Sequence, residues 1–305
     1  MPFSPEFDLL PYNFLGLPHT ASNYADARAV VLPIPYEGTV SFHSGTRRGP
    51  QAMMLASRQV ELYDPAAGCE VGSEIGVHTL GELIINSAGP EPTLQLVHDA
   101  AQTVIADGKF LLSFGGEHSI TSALVEAHHK KFPSVAVLQI DAHLDLRDRW
   151  LGTEWSHASV MRRLVARGVR VQAVGIRNIS AEEADFVNQA GLDPVLADQV
   201  DSSTRWIDRA LAGLGDTDDV YISIDLDGLD PSVIRAVGTP EPAGLSWRQT
   251  IDLLTAVASR KRIIGADVVE LCPQPGDLAS DFAAAKLAYK LLALAFYPPT
   301  TNKTR

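Results

Sequence analysis

Val220-Tyr221-Ile222-Ser223-Ile224-Asp225-Leu226-Asp227-Gly228-Leu229-Asp230-Pro231 carries a short apolar run into a series of acids. The run from Val220 to Ile224 reads as a buried strand. It ends in carboxylates at every second position. Alternate residues of a strand share a face, so Asp225 and Asp227 point the same way while that geometry lasts, and Leu226 points into the core. Two carboxylates on one face at a strand end repel each other and lose solvation, so they need a cation. Taken alone, the stretch also reads as a strand entering a polar turn that Asp230-Pro231 opens.

Two further stretches repeat the pattern. Ser134 to Ile140 is an apolar strand candidate that runs into Asp141-Ala142-His143-Leu144-Asp145, with polar groups again at alternate positions. Lys109 to Phe114 is a third, followed by Gly115-Gly116-Glu117-His118-Ser119. Its glycines let the chain turn sharply, and His118 projects from that turn. Three strand ends that deliver His or Asp fit the rule that open α/β sheets place their sites at the carboxyl ends of strands. Aspartate oxygens with imidazole suit a hard to borderline divalent ion such as manganese better than zinc in a thiolate cage. The candidate ligands are His118, Asp141, His143, Asp145, Asp225 and Asp227: four carboxylates and two imidazoles. One catalytic ion rarely takes so many, because it keeps a position open. Two divalent ions use all of them, and their charge balances the carboxylates.

Outward from these stretches, strands and helices alternate. Strands are expected at Arg28–Pro35, Lys109–Phe114, Ser134–Ile140, Arg170–Val174, Val220–Ile224 and Arg262–Val269. Helices are expected from Gly49-Pro50 onward and at Thr93–Asp107, Ile120–Lys131, Ala158–Arg167, Ala181–Ala190, Ser203–Leu214, Ser246–Ser259 and Leu278–Leu294. The alternation implies a mostly parallel sheet covered on both faces, in one domain. Residues 1–27, rich in Pro, Asn and aromatics, read as an irregular arm of the kind that packs on a neighbouring subunit, and residues 28–305 as the catalytic domain. Leu146 to His157 forms a loop over the carboxyl edge, and Ser73 to Leu83 a weak strand or irregular connection.

The bulk numbers exclude several classes. The chain has 305 residues, 46% hydrophobic and 20% charged, enough for a substantial core. No apolar run reaches the length of a membrane span, and the N-terminus lacks the pattern of a signal peptide. Cys69 and Cys272 form no paired motif, so free thiols in the cytoplasm are the expectation. A formal charge of −12 disfavours nucleic acid and anionic membrane as partners.

Gly115–Ser119, Asp141–Asp145 and Ser223–Pro231 together are similar to the three signature motifs of the ureohydrolase (arginase/agmatinase) family, and the similarity extends from about Pro33 to the last helix. The resemblance implies a three-layer αβα fold and two manganese ions per chain. It implies that Asp141 and Asp225 bridge the ions, that His118 and Asp145 complete one shell, and that His143 and Asp227 complete the other. A water between such ions loses its proton near neutral pH and becomes the nucleophile. Glu270, in Asp267-Val268-Val269-Glu270, matches the glutamate that grips the substrate guanidinium. His157 matches a loop histidine that assists proton transfer. Glu117 departs from the Asp that many members carry there. Asp267 is expected as a hydrogen-bond partner behind the ligands or as a helix cap, Cys272 as an inert buried thiol, and His43 as a loop residue equally readable as surface or site.

The loop from Leu146 to Trp155 lacks the Asn- and Ser-rich pattern with which arginases hold an α-amino acid head, and resembles agmatinases instead. The expected reaction is agmatine plus water to putrescine plus urea, in polyamine biosynthesis. Arg147 and Arg149 are expected to face outward, since long charged side chains on loops are usually solvated. The alternatives are arginase or a guanidino-acid hydrolase such as guanidinobutyrase or guanidinopropionase; from other classes, a catalytically silent metal-binding homologue or a zinc deacetylase. A homo-oligomer, trimer or hexamer, is a further implication of the resemblance.

Overall fold

The structure is a computed structural model and describes residues 10–299. In chain order its strands are β1 (Ala29–Ile34), β2 (Tyr63–Asp64), β3 (Cys69–Glu70), β4 (Val77–Thr79), β5 (Phe110–Gly115), β6 (Ala136–Ile140), β7 (Arg170–Ile176), β8 (Val195–Leu196), β9 (Asp219–Asp225) and β10 (Arg262–Val269). Its helices are α1 (His19–Ser22), α2 (Gly49–Ser57), α3 (Val71–Ile75), α4 (Pro90–Ala106), α5 (Thr121–Lys131), α6 (Val160–Ala166), α7 (Ala181–Ala190), α8 (Arg205–Gly213), α9 (Trp247–Arg260) and α10 (Leu278–Phe296). Strands β2 and β3 pair as a small antiparallel ribbon.

The other eight strands form one parallel sheet in the order β4-β1-β5-β10-β9-β6-β7-β8. Period-2 alternation feeds a core on each face. In β6, Ala136, Leu138 and Ile140 join α2, α8, α9 and α10 on one side, while Val137 joins α4, α5 and α6 on the other. Strands apolar on both faces belong inside such a three-layer stack. The last strand in sequence, β10, does not add to an edge: it lies between β5 and β9.

The expected elements appear within a few residues of their places. Pro90 opens α4, Ser180 and Glu183 form a reciprocal cap at the start of α7, and Ser246 and Gln249 do so for α9. Three features differ from expectation. The weak strand expected within Ser73–Leu83 is the edge strand β4, but the short helix α3 that precedes it was not expected. The two-residue edge strand β8 is too short to show a pattern in sequence. The arm read over residues 1–27 lies partly outside the described residues, but from Asn13 it folds into its own chain. Phe14 and Leu17 are fully buried, and Phe14 meets Phe114 edge to face at 5.0 Å. Apolar residues in a tight turn, with Leu15 at φ 70°, carry no period for sequence reading to detect.

Candidate metal centre and active site

The four central strands deliver the site from their carboxyl ends. His118 follows β5, Glu270 follows β10, Asp225 and Asp227 end β9, and Asp141, His143 and Asp145 follow β6. Crowding among these ends calls for glycine. A Cβ on Gly116 would lie 1.9 Å from the Tyr36 carbonyl oxygen, and one on Gly228 would lie 2.6 Å from the Asp141 nitrogen. β9 ends at Asp225, yet the short 3-10 turn Leu226–Gly228 still turns Asp227 to the site and buries Leu226.

All six candidate ligands converge. His118 Nδ1 lies 2.9 Å from Asp145 Oδ2, 3.2 Å from Asp141 Oδ2 and 3.4 Å from Asp225 Oδ2. His143 Nδ1 lies 3.1 Å from Asp227 Oδ2 and 3.6 Å from Asp141 Oδ1. The atoms form two groups, His118–Asp141–Asp145 and Asp141–His143–Asp227, which share Asp141. Hydrogen bonds fix the acids. Gln139 Nε2 donates to Asp141 Oδ2 at 2.8 Å, the His143 amide to Asp141 Oδ1 at 2.6 Å, and Thr239 Oγ1 to Asp227 Oδ2 at 2.8 Å. Asp145 and Glu270 hold left-handed backbones, at φ 53° and 65°. Such strain in residues other than glycine gathers at functional sites.

Buried acids this close strain the local charge balance. Burial and repulsion from Asp141 push Asp145 up to about 7, and burial with Asp227 and Asp141 raises Asp225 well above the carboxylate range. Burial opposes charge on His143, but Asp227 and Asp141 outweigh it and raise the ring to about 12. Cations answer all of these shifts at once. His118 supplies an independent test: its Nδ1 is buried and makes no aligned hydrogen bond, although three carboxylate oxygens crowd it. Its other nitrogen, Nε2, donates to Ser223 Oγ at 2.9 Å, and Ser223 Oγ donates to Asp267 Oδ1 at 2.8 Å. Thr121 Oγ1 and the Tyr221 hydroxyl donate to Asp267 Oδ2. Asp267 therefore accepts from every partner and stands behind His118; it caps no helix. This chain leaves the Nδ1 lone pair facing the carboxylates, as a metal ligand requires. The residues fit a pair of divalent cations.

A cavity of about 220 Å³ opens onto the cluster. It is smaller than the usual range of roughly 300–1,000 Å³, so it suits a small ligand. His143, Asp145, Asp225, Asp227, His157 and Glu270 line it. Glu270 is buried, accepts the His118 amide at 2.7 Å, and has no lysine or arginine within ion-pair distance among the described residues. Burial, and then repulsion from Glu117, push the Glu270 pKa well above the usual carboxylate range. Burial, with charge on His118 and His143, lowers His157 to about 4. His43 also lines the cavity, packed edge to face on Phe42. Cys272 is buried and donates to the Ser44 carbonyl.

The loop after Asp145 differs from expectation. Arg149 faces outward toward Glu154, as expected, but Arg147 lines the cavity and stacks on Trp150 at 4.4 Å. The stack holds the Arg147 guanidinium over the indole, so solvation alone does not decide its direction. Trp155 packs away from the cavity against the core on the helix side. Asp148 and Glu154 are held by Arg163, at 2.9 and 2.6 Å, so neither faces the site. Ser223 and Gln139 were open to discovery in the sequence, because each sits two residues before a ligand on the same strand face. Thr239 and Thr121 had no such signal.

The parallel sheet carries a His/Asp cluster that could hold metal, and comparison with known proteins identifies the family. The chain belongs to the Arginase family, whose model matches residues 27–294. It is a hydrolase acting on C–N bonds of linear amidines. It is 38% identical over 276 residues to the N(1)-aminopropylagmatine ureohydrolase of Synechocystis sp., covering 89% of this chain and 90% of that protein. It is 30% identical to the agmatinase of Halalkalibacterium halodurans, covering 89% and 93%. The crystal structure of the agmatine ureohydrolase of Thermoplasma volcanium superposes with a TM-score of 0.83 at 30% identity, over 96% of each chain. No helix among the described residues is long and apolar enough to cross a membrane.

Proposed function

We propose that the chain hydrolyses a small guanidine with a cationic amine tail, agmatine or its aminopropyl derivative, to urea and the free amine. The observation that carries this reading is Glu270: a buried carboxylate at the cavity wall, beside the ligand cluster, with no cation of its own. A planar guanidinium meets such a carboxylate through paired hydrogen bonds and is oriented by it. The names of the relatives above support the amine tail.

We assign two Mn²⁺ to the centre. His118, Asp141, His143, Asp145, Asp225 and Asp227 would hold them. When bound, the ions supply an activated water. The protein does the rest. Glu270 orients the guanidinium. The strained backbones of Asp145 and Glu270 keep their carboxylates fixed before substrate arrives. His157, half-buried on the wall, carries a proton to the departing amine. A homo-oligomer, trimer or hexamer, is part of this reading.

A second reading rests on Arg147. Its guanidinium reaches the cavity with no carboxylate partner among the described residues, and would pair with the carboxylate of a guanidino acid. Urea release from agmatine, N(1)-aminopropylagmatine, arginine, guanidinobutyrate and guanidinopropionate, with added manganese, decides between them. A kcat/KM for arginine or a guanidino acid at or above that for both amines overturns the first reading.

A further inference from the structure

Glu117 has no place in the chemistry described so far, yet it is fully buried and accepts four hydrogen bonds. Its Oε2 accepts the Gly38 and Thr39 amides at 2.7 and 2.6 Å, and its Oε1 accepts Thr39 Oγ1 and Ser119 Oγ, each at 2.6 Å. Thr39 Oγ1 in turn lies 3.2 Å from His157 Nδ1 and accepts the His157 amide at 3.1 Å.

Proton counting fixes this arrangement. A hydroxyl has one hydrogen and two lone pairs. All four partners of Glu117 are donors, so the Thr39 hydrogen goes to Glu117. Both lone pairs of Thr39 Oγ1 then face His157, one taking its amide and the other its ring. Nδ1 must therefore carry a proton in the neutral ring. The lone pair is left on Nε2, which lies 3.4 Å from Ser41 Oγ, a residue of the cavity wall.

We propose that Thr39, held by Glu117, is a positioning residue that sets the tautomer and orientation of His157 so that Nε2 is the proton-carrying atom in the cavity. The inference rests on the proton-transfer role assigned to His157 above. Nε2 takes the proton that the attacking water gives up and passes it to the departing nitrogen as the C–N bond breaks. The ring ends neutral, as it began, with Nδ1–H still on Thr39 and no net proton taken up. Without Thr39 the ring is free to flip or to move its proton, and the cavity would face N–H or lone pair without control.

The test is a double-mutant cycle on the manganese-loaded enzyme with the best substrate of the urea-release panel. The variants are Thr39→Val, Thr39→Ser, His157→Ala and Thr39→Val with His157→Ala, each checked for metal content. Thr39→Val is expected to lower kcat about 10–100-fold, a share of what acid–base catalysis contributes, with KM and metal content unchanged. Thr39→Ser restores turnover to within about threefold, and Thr39→Val costs less than about twofold once His157 is absent. Full activity in Thr39→Val, an equal cost with and without His157, or no rescue by serine overturns the proposal. If His157→Ala itself keeps full turnover, the proton-transfer role falls and the positioning role with it. If His157→Ala is impaired while Thr39→Val is not, only the positioning role falls.

Discussion

Two histidines of this chain are held by the same device and turn their free nitrogens to opposite surroundings. Asp267 accepts a hydrogen bond from the Ser223 hydroxyl, and Ser223 accepts one from the ring N–H of His118; Glu117 accepts one from the Thr39 hydroxyl, and Thr39 accepts one from the ring N–H of His157. In the first case Nε2 is tied and Nδ1 is left free among three carboxylates, in a ring that is 1% exposed. In the second Nδ1 is tied and Nε2 is left free at an open cavity wall. The device fixes a tautomer; what the free nitrogen faces decides whether it is a ligand or a proton carrier.

The comparison breaks most visibly where the free nitrogen of His118 points. Asp141→Ala removes a carboxylate common to both ligand groups and is expected to abolish urea release. His157→Ala costs only the roughly 10²–10⁴-fold of a lost acid–base group. Equal losses in the two variants, with metal still bound to His157→Ala, would show that His157 does more than carry a proton.

A smaller effect sharpens the contrast. Ser223→Ala is expected to weaken binding of one of the two manganese ions by about 10–100-fold, the usual cost of losing a partner behind a ligand histidine. Excess manganese then recovers its activity. Thr39→Val should show no such recovery, and metal-buffered titrations of both variants measure the difference.

Protonation of the acids and imidazoles around His118 gives a further contrast with the open cavity wall. In the metal-free protein Asp145 keeps its proton up to about 7 against an ordinary 3.8, and His143 up to about 12 against 6.5. These two groups thus hold more protons in the folded chain than in the unfolded one, and the stability they contribute is lost as pH rises through about 7 for Asp145 and toward about 12 for His143. Chelated protein is expected to melt several degrees lower at about pH 8.5 than at about pH 5.5, and manganese to remove most of that slope. A Tm that rises with pH in the chelated sample would contradict it.

The smallest effect concerns the cavity mouth. Arg147→Ala is expected to lower KM for agmatine by less than about tenfold, the scale of one charge near a surface. It should raise KM for guanidinobutyrate. The opposite pair of changes would favour the guanidino-acid reading.

That the six candidate ligands come together was legible because strand parity is a short-range rule: acids and histidines at alternate positions after an apolar run declare their shared face. The parallel sheet was legible from the alternation of strands and helices. Arg147 was not, because its direction depends on stacking with Trp150 rather than on its own charge. The Glu117–Thr39–His157 connection was not either, since its members come from three segments up to 118 residues apart and show no common spacing. Phe14 and Leu17 were missed for the same reason: they reach the core through an aperiodic turn.

The central position of β10 has a consequence for how the molecule is made. On the ribosome, the strand that joins the two halves of the sheet emerges after all six ligands have been synthesised. Before it arrives, β4-β1-β5 carries His118 on one half, and β9-β6-β7-β8 carries Asp141, His143, Asp145, Asp225 and Asp227 on the other. Pairings between strands this distant in sequence form late. A nascent chain can gather carboxylates, but it cannot close the cluster around His118 until Arg262–Val269 slides between the halves. Closure of the cluster is thereby tied to the arrival of β10.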